Sequence, residues 1–321
     1  MQKLNVIFFD GISGSGKSTT SQLIYLDLLR KGADAKWYYE HAAPHPVVES
    51  REVEFALQNQ APPEAAVEQV LDRAAEFVNQ LNNDGQIHLF ESCIYQLFAG
   101  CLFRMNQGKD EILQAVQQFE ECFSAVNAQL VYFVQPDVGA ALRRIAARRG
   151  EGFDQYLLDQ FSQTAYGKAH GVGSFDQLIE AYVEFRTITD ALFEASTFEK
   201  IQMNTSEDNW SVILHDISRF VSDSDYQGPA APTRPLDEYA GTYQETSSGH
   251  QWKILANENG LQFDDAFQMK ALPFHGDVFL LESTPIELRF EIGEGGRIET
   301  LRCEGNVLKE PVVGTVWKKI S

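Results

Sequence analysis

An apolar run, Asn5-Val6-Ile7-Phe8-Phe9-Asp10, passes without a break into Gly11-Ile12-Ser13-Gly14-Ser15-Gly16-Lys17-Ser18-Thr19. The spacing of Leu23, Ile24, Leu28 and Leu29 then predicts a helix that ends near Gly32. Strand, glycine-rich loop and helix in that order are the context that gives a GxxxxGKS pattern its meaning. The glycines let backbone N–H groups converge on phosphate oxygens, Lys17 adds a point charge, and the Ser18 hydroxyl is a ligand for Mg²⁺. Gly11, Ser13, Gly14, Ser15, Gly16, Lys17, Ser18 and Thr19 are therefore the candidate phosphate cradle. The expected ligand is a nucleoside triphosphate, ATP, with Mg²⁺.

The chain of 321 residues is longer than one core usually organises, so two domains are expected. No stretch approaches the roughly 18 to 20 apolar residues that span a bilayer. Met1-Gln2-Lys3-Leu4 leads straight into the first strand and leaves no room for a signal peptide, so a cytoplasmic protein without a membrane partner is expected. Cys93, Cys101, Cys122 and Cys303 lack CxxC spacing and read as buried thiols. A net charge of −20 argues against a nucleic-acid polymer as partner, since phosphate backbones demand clustered cations. The one dense basic cluster, Arg143, Arg144, Arg148 and Arg149, suits a small anionic ligand.

Continuous apolar strands alternate with helices through the first two thirds of the chain. Strands are expected at Lys36–Tyr39, Ile87–Phe90, Leu130–Val134 and Phe198–Met203. Helices are expected after Pro62-Pro63 up to Asn82-Asn83-Asp84-Gly85, around Ile94–Met105 and Asp110–Val126, through the arginines, over Phe175–Phe193, and from Trp210 to Phe220. That alternation predicts an α/β fold, a parallel sheet covered by helices on both faces. Ser222 to Asp225 and the Gly-Pro-rich Gly228–Pro235 mark a boundary, giving domains at 1–222 and 236–321 joined by a linker at 223–235. Beyond it, short runs such as Trp252–Leu255, Leu261–Phe263, Val278–Leu281, Glu287–Glu291 and Arg297–Leu301 are separated by turn pairs such as Asn259-Gly260, the pattern of a small all-β barrel or sandwich.

Open α/β sheets gather their ligands at the carboxyl ends of the strands. Asp10, Glu40, His41, Glu91 and Ser92 all stand at such ends. Glu91 is where a carboxylate would serve Mg²⁺ or the acceptor, although a helix N-terminus would also favour it there. Glu40 or Asp10 is the candidate base for an acceptor hydroxyl. Arg144 and Arg148 are four apart and share a helix face, placed to stabilise charge spreading over a transferring phosphoryl group; arginines at a helix C-terminus also simply oppose its dipole. Tyr166, Lys168 and His170, in the polar stretch Ser162–Ser174, read either as lid residues or as a solvated loop. His41 and His45 are not at metal-ligand spacing on a helix, because Pro44 and Pro46 interrupt it. Trp37, Tyr38 and Tyr39 read as sheet core.

The first domain resembles the thymidylate kinase and deoxynucleoside kinase branch of the P-loop kinases. The pieces that carry the resemblance are Phe8-Phe9-Asp10-Gly11 with the glycine loop, Glu40, Phe90-Glu91-Ser92, Val131-Tyr132-Phe133 followed by the arginines, and Asn204-Thr205-Ser206. The resemblance implies a five-stranded parallel sheet, Mg-ATP on the loop, Arg143 with the nucleotide, Arg144 and Arg148 in a lid, and Asn204 and Thr205 flanking adenine. The branch usually has Asp-Arg or Glu-Arg after the third strand, whereas Ser92 follows Glu91 here. The segment Tyr39–Pro46 likewise departs from the pattern that holds a thymidine monophosphate, so the acceptor is left unassigned. The tail, from Leu236 to Lys319, is similar to the small lipocalin-like β domains appended to serine beta-lactamase-like proteins, without their SxxK-bearing domain. A binding or dimerising module is expected of it, and a homodimer is one expected assembly. The function expected from these features is a kinase that moves the γ-phosphate of Mg-ATP to a hydroxyl or phosphate of a small molecule, such as a nucleoside or nucleotide. The alternatives are a kinase acting on an antibiotic or other metabolite, and a non-catalytic nucleotide sensor.

Overall fold

The apolar run ahead of the glycine loop becomes the middle strand of a parallel sheet. The computed structural model describes residues 4–58, 61–81, 85–207, 209–258, 260–264, 268–305 and 312–321. The expected helix stop at Asn82, Asn83 and Asp84, the leading Met1-Gln2-Lys3, and Asn259 lie outside the described residues. Strands β1 (Leu4–Gly11), β2 (Ala35–Tyr38), β3 (Ile87–Glu91), β4 (Asn127–Val134) and β5 (Glu199–Asn204) align in the order β2-β3-β1-β4-β5, all parallel. Their alternate faces are both apolar. Phe8 stacks on Phe90 and Phe198, with ring centroids 5.4 and 5.6 Å away, while Phe9 turns to the opposite face against Phe133. Val6, Ile7, Phe8 and Phe9 are wholly buried, which is why this sequence runs apolar without alternation. Trp37 and Tyr38 join this core, as expected.

The connecting helices are α1 (Lys17–Arg30), α2 (Ser50–Gln58), α3 (Pro63–Leu81), α4 (Gly100–Arg104), α5 (Lys109–Cys122), α6 (Val138–Arg149), α7 (Phe153–Ser162), α8 (Ala165–Ala169), α9 (Phe175–Ala195) and α10 (Trp210–Ser222). A π-helical segment, Cys93–Ala99, runs directly into α4. The stretch Ser162–Ser174 is partly helical. Its Tyr166 is buried against Phe103, 4.4 Å between ring centroids, and donates to Glu184 at 2.6 Å. His170 stacks on Tyr166 and bonds Asn106. Cys122 corrects the reading of four buried thiols, since it is half-buried with Sγ against Gln118 and Leu71 carbonyls; the other three are buried. His45 is buried as well, and its Nδ1 accepts from the N–H groups of Val47 and Val48, so it organises its own loop.

The tail folds as a closed antiparallel barrel. After the short α11 (Leu236–Tyr239) come β6 (Gly241–Glu245), β7 (Gln251–Asn257), β8 (Gly260–Phe263), β9 (Lys270–His275), β10 (Val278–Leu281), β11 (Glu287–Ile292), β12 (Ile298–Glu304) and β13 (Val316–Lys319). Each strand pairs with the next, and β13 returns to β6 with Trp317 opposite Glu245. Eight strands enclose a space about wide enough for side chains to fill. Tyr243, Phe279, Leu288, Phe290, Leu301 and Trp317 fill it, all 3% exposed or less.

The chain divides into two compact units that do not coincide with a single cut in the sequence. One comprises the chain to Ser21 with Ala33–Glu40 and His45–Tyr226; the other comprises Gln22–Gly32, His41–Pro44 and Gln227–Ser321. Inside the second unit, Asp27 Oδ1 accepts from the N–H groups of Gln227 and Gly228, and Gln22 donates to the carbonyls of Leu281 and Thr284. Those bonds account for two polar side chains buried in α1. No helix among the described residues is long and apolar enough to cross a membrane.

Candidate functional site

Register brings the strand ends together. Phe9 lies beside Glu91, Tyr38 beside Phe90, Gly11 beside Phe133, and Val134 beside Asn204. Glu40, Glu91, Gly11 and Asn204 thus stand along one carboxyl edge, where the glycine loop also begins. The loop is shaped by its glycines: Gly14 has φ +74° and Gly16 φ +91°, conformations that side-chain-bearing residues rarely adopt. A Cβ on Gly16 would lie 2.3 Å from the Trp210 ring, and one on Gly14 would lie 2.2 Å from Ile145. Trp210 and Ile145 therefore brace the loop from outside. Lys17 Nζ is buried and donates to Ile12 O at 2.9 Å, as does Ser15 Oγ at 2.8 Å.

At the end of the loop, Ser18 Oγ donates to Glu91 Oε1 at 2.9 Å. The same oxygen accepts from Ser92 Oγ at 2.6 Å, and Oε2 accepts from the Glu40 backbone N–H at 3.1 Å. Burial, reinforced by the neighbouring charge of Glu40, raises the Glu91 carboxyl to a pKa of about 7 against the pull of Lys17. Glu40 is half-buried and is also raised, chiefly by desolvation, with Lys17, a hydrogen bond from Ser92 and the charge of Arg149 opposing the shift. Gln96 Nε2 donates to Glu40 Oε2 at 2.6 Å. Two carboxyl groups, a lysine and the loop hydroxyl are thus gathered at one edge of the sheet. A serine hydroxyl beside a carboxylate is a hard-oxygen set of the kind Mg²⁺ takes when phosphates supply further ligands. No cluster of three or more His, Cys, Asp or Glu side chains suited to a metal occurs among the described residues.

Asp10 lies at the same edge but is differently engaged. Its carboxylate accepts from the backbone N–H groups of Ile94, Tyr95 and Gln96 at 2.9, 3.0 and 3.2 Å. These are the open N–H groups at the start of the π-helical segment, which follows Ser92 in a left-handed conformation. Asp10 therefore caps from the neighbouring strand β1, far off in sequence. Complete burial raises its pKa to about 7 despite those bonds and Lys17.

The arginines separate. Arg143 is exposed and pairs with Asp176 of α9 at 2.7 Å. Arg144 Nη2 donates to Gln135 Oε1 at 3.0 Å, Gln135 Nε2 to Thr205 Oγ1 at 2.7 Å, and Thr205 Oγ1 to Ser15 O at 2.9 Å. That chain ties the arginine helix and the Asn204-Thr205 turn to the glycine loop. Asn204 Oδ1 closes the turn itself by accepting from Ser206. Arg148 is exposed, as is Arg149, whose charge reaches Glu40 and which also lies over Phe153. Thr19 sits in the first turn of α1, and the Ser13 side chain meets Tyr182.

Four residues that the sequence reading passed over contribute. Gln96 holds Glu40, Gln135 links Arg144 to Thr205, Trp210 braces Gly16, and Tyr182 engages Ser13. Only Trp210 left a signal in sequence, as a large aromatic opening a helix directly after the fifth strand.

No protein-family model matches the chain, and no curated protein matches it. Among solved structures it is similar to the YorR protein of Bacillus subtilis, crystallised in complex with phosphorylated GDP. The two share 13% identity over 66% of this chain and 93% of that one, with a TM-score of 0.35.

Proposed function

We propose that the chain is a phosphotransferase that takes the γ-phosphate of Mg-ATP to a small acceptor. The observation that carries this reading is the 2.9 Å bond between Ser18 and Glu91, which joins the hydroxyl ending the glycine loop to the carboxylate ending β3. A phosphate-binding loop alone needs no such carboxylate; a Mg²⁺-assisted transfer uses both. Bound Mg²⁺ would neutralise charge on the β- and γ-phosphates. Ser18 and Glu91 are the residues to hold it. Lys17, released from Ile12 O, would lie on the phosphate oxygens, and the loop N–H groups would hold them in place. Glu40 is the base that this geometry favours. It lies close enough to Lys17 to feel its charge, and burial holds its affinity for a proton above that of an ordinary carboxylate. Asp10, with three N–H groups on its oxygens, is better suited to fixing the segment that carries Gln96. Arg149 and Arg148, exposed at the end of α6, and Arg144, tied to the loop through Gln135 and Thr205, are the guanidinium groups available to the transferring phosphoryl group.

The test is ATP consumption by wild type and Lys17→Ala across nucleosides, nucleotides and hydroxylated metabolites. Acceptor-dependent turnover is expected in wild type and a loss of at least about a hundredfold in the variant, in line with removing one preorganised electrostatic contact. ATP binding with no turnover on any acceptor, and no effect of Arg149→Ala, would favour a sensor over a kinase.

A further inference from the structure

On the helix that starts beside Glu91, Arg104 has no counter-ion among the described residues. Gln96, Gly100 and Arg104 follow one another at four-residue steps along the π-helical segment and α4, so they trace one face of the helix that starts beside Glu91. At the first step Gln96 gives its amide N–H to Glu40, and its Oε1 is buried with no hydrogen-bond partner among the described residues. At the second step Gly100 presents no side chain, and Arg104 folds back across it. Arg104 Nε donates to Gly100 O at 2.9 Å, and Nη2 lies 4.0 Å from the place a Gly100 Cβ would occupy. The guanidinium is half-buried, and among the described residues no carboxylate lies within ion-pair distance of it. Its charge is felt at Tyr182, the residue whose side chain meets Ser13 of the glycine loop. A half-buried guanidinium that gives up hydration without an anion is costly to the fold, and it offers its remaining N–H groups in a fork that fits an oxyanion.

We infer that Arg104 reads an oxyanion group on the acceptor, a phosphate or carboxylate distinct from the oxygen that is phosphorylated, with Gln96 Oε1 accepting from a donor between the two. The inference rests on the phosphotransferase reading, because it concerns that reaction's acceptor. Its substrates are then hydroxyl compounds that already carry a negative group, and neutral polyols or neutral nucleosides are poor acceptors.

The experiment loads the full chain with Mg²⁺ and a non-hydrolysable ATP analogue, so that the glycine loop is filled, and titrates inorganic phosphate and then acetate. The readouts are the melting temperature and the Nε–H resonance of Arg104, identified by its absence from Arg104→Gln. Phosphate is expected to shift that resonance saturably, and Arg104→Gln is expected to weaken phosphate binding by about tenfold or more, with Arg104→Lys between the two. A matching response to acetate extends the site to carboxylates, and no response narrows it to phosphates. A resonance that phosphate leaves unmoved, or equal phosphate binding in Arg104→Gln, overturns the inference. If the analogue does not bind, the phosphotransferase reading fails. The same titration on Lys17→Ala then decides whether an anion site at Arg104 exists without it.

Discussion

Glu91 shows how far a side chain departs from its solution chemistry when a fold buries it. Its pKa near 7 means that the folded chain prefers the protonated carboxyl, so this stabilisation is complete below the ordinary carboxylate range and is lost as pH rises through about 7. Asp10 follows the same sign. Without nucleotide, stability should therefore fall between about pH 5 and pH 8, while the Mg²⁺ of the proposed reaction, which would require the ionised carboxylate, should bind more tightly as pH rises over that interval. Glu91→Gln is expected to flatten the fall and to raise stability at pH 8 by on the order of 1–3 kcal/mol and, on the phosphotransferase reading, to abolish turnover. Melting curves from pH 5 to pH 9 check this; a slope unchanged in the variant would remove Glu91 as its source. The sequence puts Glu91 at the end of a strand next to the loop-bearing one, a position that follows from register alone. It was silent on the carboxylate's three partners, since those depend on how Ser92 and the Glu40 backbone turn at the ends of their strands.

Among the elements, the π-helical segment depends most on a single distant residue. It starts after a left-handed Ser92 with no side-chain cap of its own, and Asp10 supplies the acceptor for its first N–H groups. Asp10→Ala should leave those groups buried and unpaired at a cost of roughly 3–5 kcal/mol. Hydrogen exchange should show opening confined first to Ile94–Gln96; uniform loss of protection across the sheet would argue against a local cap. From sequence, Asp10 read as a base candidate, because nothing in the spacing of Asp10 and Ile94 reveals that they meet. Strong, continuous apolar strands such as β1, β3 and β4 were legible for the opposite reason: burial on both faces demands that composition. The elements that escaped are the marginal ones. In α7 Phe161 is the one fully buried side chain, α8 carries Gly167 within a polar stretch, and β9 carries Pro273, a residue that ordinarily argues against a strand. The grouping of arginines by four-residue spacing likewise picked Arg144 and Arg148, whereas the charge that reaches Glu40 belongs to Arg149, at the last position of α6, where the helix gives way to Gly150.

At the scale of the whole molecule, the sheet and the barrel each build an aromatic core, and a smaller cluster of Ile12, Val138, Ala141 and Leu142 lies under the arginine helix. The sheet core is aromatic, centred on Phe8, and the barrel core is centred on Tyr243, Phe290 and Trp317. Trp317 stacks on Trp252 at 3.9 Å and donates its indole N–H to Thr315 at 2.7 Å. Trp317→Ala should destabilise the barrel by about 3–5 kcal/mol. Urea unfolding followed by near-ultraviolet circular dichroism measures this, and an unchanged midpoint would mean that the barrel interior repacks. A filled interior also bears on the expected binding role of the tail. A lumen occupied by large side chains is a poor container, so any recognition by this unit falls to its outer surface and loops. The barrel was foreseen as a barrel or sandwich, and the choice between them was hidden because closure depends on β13 meeting β6, a pairing that turn signals between neighbouring strands cannot report. That pairing also sets a timetable for synthesis. At about 5–20 residues per second, β6 leaves the ribosome several seconds before the strand that will complete it, and throughout that interval the nascent tail presents open edges to every other emerging chain.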